Sequence, residues 1–174
     1  MKTRTDSILV AMNVLAWLAV CGFITKASAL LISFIVSINN PAGAKNMYMG
    51  LDFAAIRQYD FWEYAGTVIM MVAIVLLEAY IAFLVTKALS KIKLTKPFTP
   101  EVSKVLEQIS AVMLLTWVAA MIYNGHQAWL AKNIAGLQTN YIPGEFILMA
   151  GVVFVLAQIF KKGVELQTEN ELTV

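Results

Sequence analysis

Between Ile8 and Ile38 the chain carries a single charged residue, Lys26. As a helix rising 1.5 Å per residue this run is about 46 Å long, whereas the hydrocarbon core of a bilayer is about 30 Å thick. It is also far longer than the roughly 7–15-residue core of a signal peptide, and no small-x-small site leads from it into polar sequence. Lys2 and Arg4 are therefore read as flanks of a retained first helix. Apolar runs recur at about 64–87, 109–130 and 143–160. Over 174 residues, 60% are apolar and 14% charged, against about 25% charged in an average soluble domain. The charges gather in short stretches between the runs. A soluble domain of this size cannot cover so much apolar surface, so the bilayer must act as solvent. The expected fold is all-α: a single transmembrane domain of four helices in a bundle, with both termini cytoplasmic and an amphipathic cytoplasmic segment before the third helix.

The first span opens behind Asp6 and Ser7, both good N-cap residues, and stops at Asn39-Asn40-Pro41. It must tilt, bend or project beyond the membrane. In the outer loop over 39–63, Gly43 and Gly50 are breakers, and Tyr48, Phe53, Tyr59, Phe61 and Trp62 suit a segment folded back on the interface. A short helix is predicted there around 52–59. The second span has Glu78 as its one internal charge. In the loop over 88–108, Thr99-Pro100 signals a helix start. Val102, Val105, Leu106 and Ile109 follow at i, i+3, i+4 and i+7, with Glu101, Lys104, Glu107 and Gln108 between them, an amphipathic pattern suited to a membrane surface. The pattern runs without a breaker into the third span. Pro143-Gly144 marks the entry of the fourth span, Lys161-Lys162-Gly163 its exit, and an acidic tail over 161–174 closes the sequence.

Basic residues in short loops set orientation. Nine lie on one side (Lys2, Arg4, Lys87, Lys91, Lys93, Lys96, Lys104, Lys161, Lys162) and three on the other (Lys45, Arg57, Lys132). All four spans agree, which puts both termini in the cytoplasm. The net charge of +2 is too small to suggest direct nucleic-acid binding, and the lone Cys21 excludes an intramolecular disulfide or a CxxC pair.

Charged groups within a bilayer are costly, so each is a candidate site. Glu78 lies about 13 Å along the axis from the Lys87 boundary. It reads either as a titrating or cation-coordinating carboxylate, or as a neutral, hydrogen-bonded group fastening helices, with Asn13, Trp17 and Thr116 at comparable depth. Lys26 sits within snorkelling range of the outer boundary. Glu63, Glu145 and the stretch Tyr123-Asn-Gly-His-Gln127 share that level, so Lys26, His126, Tyr123 and Glu145 define a candidate outer polar pocket for a ligand or a pH signal. The plainer reading of His126 is an interfacial histidine among aromatics. A direct Lys26–Glu78 ion pair is not expected, because the two depths differ by a helical turn or two. No GxGxxG, P-loop, HExxH or Ser/His/Asp grouping appears, which points away from an enzyme, and no cofactor or metal motif is present. No inverted repeat is detectable.

Two stretches carry a resemblance. Lys96-Pro-Phe-Thr-Pro-Glu-Val-Ser-Lys-Val-Leu-Glu-Gln-Ile109 and Phe160-Lys-Lys-Gly-Val-Glu-Leu-Gln-Thr-Glu-Asn-Glu-Leu-Thr-Val174 resemble the interhelical segment and the ending of the DUF2975 family of bacterial four-helix membrane proteins. The resemblance implies no established activity. It implies a small Cro/C1-type helix-turn-helix regulator as a candidate partner, because genes of the family commonly neighbour one. The chain is then expected to be the membrane component of a sensory or regulatory pair. Phe98, Glu101, Glu169, Glu171, Leu172 and Val174 would form the cytoplasmic interaction surface, and an extended tail would dock either in a partner's groove or on the chain's own lysine-rich segment. The competing expectation is a small transporter or proton-coupled efflux component working through Glu78, as a homo-oligomer.

Overall fold

The computed structural model describes the backbone over residues 4–92 and 98–172, and side chains within 7–92 and 98–169. Lys2, Lys93, Lys96 and Val174 lie outside the described residues, as do the side chains of Arg4, Glu171 and Leu172. The described chain is all-helical: α1 Arg4–Asn39, two 3₁₀ turns at Pro41–Lys45 and Tyr48–Gly50, α2 Ala54–Tyr59, α3 Phe61–Lys91, α4 Pro100–Asn133 and α5 Phe146–Leu172. Four of these helices are long and apolar enough to cross a membrane.

The boundaries follow local chemistry. α1 begins at Arg4, ahead of Asp6 and Ser7, so these two lie in its first turn and not at its cap. At 36 residues it is about 54 Å long. It ends because Asn40 precedes a proline and is held extended (φ −125°, ψ 98°), its side chain accepting the N–H of Ala42. α3 starts three residues before the expected Tyr64, because Asp60 Oδ1 accepts the N–H groups of Trp62 and Glu63 at 2.7 and 2.9 Å. Its first turn therefore carries the aromatic belt. At the start of α4, Thr99 Oγ1 accepts the N–H of Val102 at 3.3 Å and Pro100 occupies the first position. From there one unbroken helix runs to Asn133 and contains the apolar span. α5 starts at Phe146, after Pro143-Gly144, and runs on through Lys161-Lys162-Gly163 to Leu172. The acidic tail is thus helical up to that residue, which corrects the expectation of an extended tail. Glu, Leu and Gln are good helix formers, and Lys162 bonds Glu165 one turn on at 2.8 Å.

The chain divides into two compact units, to both of which α1, α3 and α4 contribute. One comprises Met1–Cys21, Ala79–Leu115 and Glu145–Val174. Its core is built on Leu84 and Ala88 of α3 and Val105 and Ile109 of α4, with Val153 of α5 packed against them. Here α4 and α5 run antiparallel in a seven-residue register: Ser103 Oγ bonds the Ala157 carbonyl at 3.4 Å and Ser110 Oγ the Ala150 carbonyl at 3.0 Å. Buried alanines opposite serines let the helices approach and give each hydroxyl an acceptor, a pairing suited to a medium without water. Asn13 Nδ2 bonds the Thr86 carbonyl at 3.2 Å, and the Trp17 ring meets Phe83 edge-on, tying α1 to α3 within this unit.

The other unit comprises Gly22–Glu78 and Thr116–Gly144. Its core gathers Ala27 and Leu30 of α1, Ile56 of α2, Tyr64, Val68 and Val72 of α3 and Leu130 of α4. The α1–α3 loop enters that core through Ala44, Met47 and Phe53, all buried. A tight turn at Met49 (φ 61°) and Gly50 (φ 75°), bridged from Met47 N to Leu51 O at 2.9 Å, makes this possible. Tyr64 anchors the loop: its hydroxyl lies 2.6 Å from Ser37 Oγ and 3.4 Å from Met47 sulfur, and Phe34 packs on its ring.

Candidate functional site

The two stretches that carry the family resemblance meet on one face. Phe98, just before α4, lays its ring on Gly163 and Phe160 of α5; the two phenyl centroids are 5.2 Å apart at 60°. A Cβ at Gly163 would stand 2.5 Å from Phe98 Cδ1 and within 2.9 Å of two further ring carbons. Glycine is needed at 163 because a ring occupies the place of its side chain. The helix does not end there. Beside this contact, Pro100, Ser103, Lys104 and Glu107 of α4 and Lys161, Val164 and Glu165 of α5 line a groove of about 410 Å³. Both signs of charge line it, over an apolar floor. Glu101 stands exposed in the first turn of α4, where its charge complements the helix dipole, and Glu169 is exposed on α5. The continuation of α5 therefore lies along the start of α4 as a helix.

Of the intramembrane polar residues, Asn13 falls in one compact unit, where it is paired with Thr86, and Glu78, Lys26 and Thr116 fall in the other. Glu78 is half-buried, and Lys26 of α1 stands within electrostatic reach of it. The two make no ion-pair contact among those of the described residues. Thr116 is fully buried on α4.

Of the residues expected in an outer pocket, Lys26, Tyr123 and His126 belong to one compact unit and Glu145 to the other. His126 Nε2 lies 3.1 Å from Thr67 Oγ1 and 3.7 Å from Glu63 Oε2, and its ring stacks on Trp129 at 6.2 Å and 18°. Glu63 and Thr67 are one turn apart on α3, so both face the same neighbour. Glu145 is exposed and falls in the other compact unit. Tyr123 is fully buried on α4, as is Gln127 one turn on; the Tyr123 hydroxyl and both polar atoms of the Gln127 amide have no hydrogen-bond partner. Equal depth is what the sequence supplied, and depth does not specify which side of a helix faces which neighbour. Asn124, within the Tyr123–Gln127 stretch, makes paired 2.8 Å bonds through its amide with the N–H and carbonyl of Ile142. Among the described residues, no three His, Cys, Asp or Glu side chains gather closely enough to hold a metal.

Four apolar helices and a face built jointly by the start of α4 and the end of α5 define a multi-pass membrane protein. The chain belongs to the DUF2975 family, whose model, described as "Protein of unknown function", matches residues 54–174. That match contains α2 to α5 and both stretches of the face. A search of the curated proteins and one of the solved structures return no match.

Proposed function

We propose that the chain is the non-enzymatic membrane component of a sensory or regulatory pair in a bacterial cytoplasmic membrane, with both termini inside. In this reading, the face formed by Phe98, Glu101, Lys104 and Glu107 with Lys161 to Glu169 holds or releases a small Cro/C1-type helix-turn-helix regulator. The observation that carries it is the packing of Phe98 on Gly163, which joins two distant stretches of sequence into one surface. The groove beside that contact offers apolar floor and paired charge, the composition of a docking surface rather than of a reaction centre. Orientation is supported by the surplus of lysine and arginine around this face. His126, with Glu63 and Thr67 about it, would receive the signal.

Deleting residues 169–174 tests the reading. With a co-expressed helix-turn-helix regulator, the full chain should retain it through detergent purification. The shortened chain should retain about tenfold less, a loss of about 1.4 kcal/mol of binding. Equal retention by a shortened chain that still inserts and folds would exclude the tail from the surface.

A further inference from the structure

Between Asn40 and Tyr64 the chain holds three acids and two bases. Every acid is committed. Asp52 Oδ1 accepts the N–H of Ala54 at 2.9 Å, and Asp60 caps α3. The Glu63 carboxylate faces His126. The two bases have no such counterpart: among the described residues, neither Lys45 nor Arg57 makes an ion pair. Arg57 is nonetheless fixed in place. Its Nη2 donates to the Ile38 carbonyl at 3.1 Å, and its guanidinium carbon lies 5.5 Å from the centroid of the Phe61 ring and 5.6 Å from that of Tyr64. Nη1 lies beneath the surface with no acceptor. Lys45, Arg57 and Gln58 line a cavity of about 450 Å³ whose remaining wall is Pro41, Phe61 and two alanines, with no acid among them. That volume suits a small ligand or a lipid headgroup.

We propose that this cavity is an anion site that takes a phosphate group. Arg57 is its fork, the Lys45 ammonium its second charge and the Gln58 amide a neutral donor. A guanidinium already held by one carbonyl and two rings is pre-organised, so little freedom is lost when an oxyanion arrives. Two positive charges lining one cavity match the charge of a phosphate ester, and a guanidinium bonds its oxygens by charge-assisted N–H···O bonds. The phosphate has two possible sources, an anionic phospholipid headgroup or a free phosphate compound.

The full chain in phosphatidylcholine nanodiscs, titrated with inorganic phosphate, addresses the free source. Nanodiscs of equal parts phosphatidylcholine and phosphatidylglycerol, followed by native mass spectrometry of the lipid retained, address the headgroup. Lys45→Gln removes a charge from an exposed side chain with no partner, so it leaves the fold intact; Arg57→Gln also gives up the Ile38 bond. The wild type should bind phosphate or retain phosphatidylglycerol preferentially, and each variant should weaken that preference about tenfold. Lipid preference without phosphate binding identifies the headgroup, and the reverse identifies a soluble anion. If Lys45→Gln matches the wild type with both ligands, the proposal is overturned.

Discussion

Gly163→Ala should destabilise the α4–α5 face by about 1–3 kcal/mol, the usual cost of forcing a methyl into packed structure. The added Cβ falls 2.5 Å from the Phe98 ring. A phenyl ring is not the loose end of a flexible chain, so it must leave its place against Phe160. Phe98→Ala alone loses that aromatic packing. In the double variant the methyl at 163 occupies space the ring has left, so the two losses should fail to add by about 0.5–3 kcal/mol. Thermal unfolding of the four proteins in one detergent measures the coupling. Additive losses would mean that Phe98 and Gly163 do not touch.

Tyr64→Ala should have the largest effect on the other compact unit, about 3–5 kcal/mol, as for other large buried aromatic truncations. Tyr64 is fully buried and touches α1 through Ser37 and Phe34, the loop through Met47 and α2 through Arg57. Removing the ring frees the 3₁₀ segment, and limited proteolysis should cut near 40–53 in the variant first. Tyr64→Phe isolates the hydroxyl and should cost only about 0.5–1.5 kcal/mol. Ser37 keeps its own bond to the Phe34 carbonyl at 2.6 Å, so no buried hydroxyl is stranded. A phenylalanine variant as damaged as the alanine one would place the stabilisation in the hydrogen bond and not in the packing.

The long apolar helices were legible because their physical cause is written in sequence: runs that only a bilayer can solvate, bounded by Asn40-Pro41 and Thr99-Pro100. The motif face was legible only as two separate stretches. Lys161-Lys162-Gly163 looks like a helix exit, because a glycine after lysines usually marks one. Here α5 passes straight through, and the glycine answers to a ring 65 positions away. No periodicity reports such a contact. His126 shows the same gap. Depth along the helices offers both Glu63 and Glu145 as companions, and only the packing of α3 against α4 brings Glu63 Oε2 to 3.7 Å from its ring. In sequence alone, Arg57 reads only as an orientation charge. Asp52-Phe-Ala is an Asx-turn pattern and Asp60-Phe-Trp-Glu an N-cap pattern, and taking them as such already removes two of the loop's three acids from ion pairing, with Lys45 and Arg57 still to be matched.

The most direct measurement is photocrosslinking in cells from a benzophenone side chain at Glu107, on the wall of the α4–α5 groove, with Leu148 on the exposed apolar side of α5 as the control position. The proposed function predicts a crosslink from 107 to the co-expressed helix-turn-helix regulator, lost on Gly163→Ala and absent from 148. A 107 crosslink confined to the chain itself, or one equally strong from 148, would contradict it.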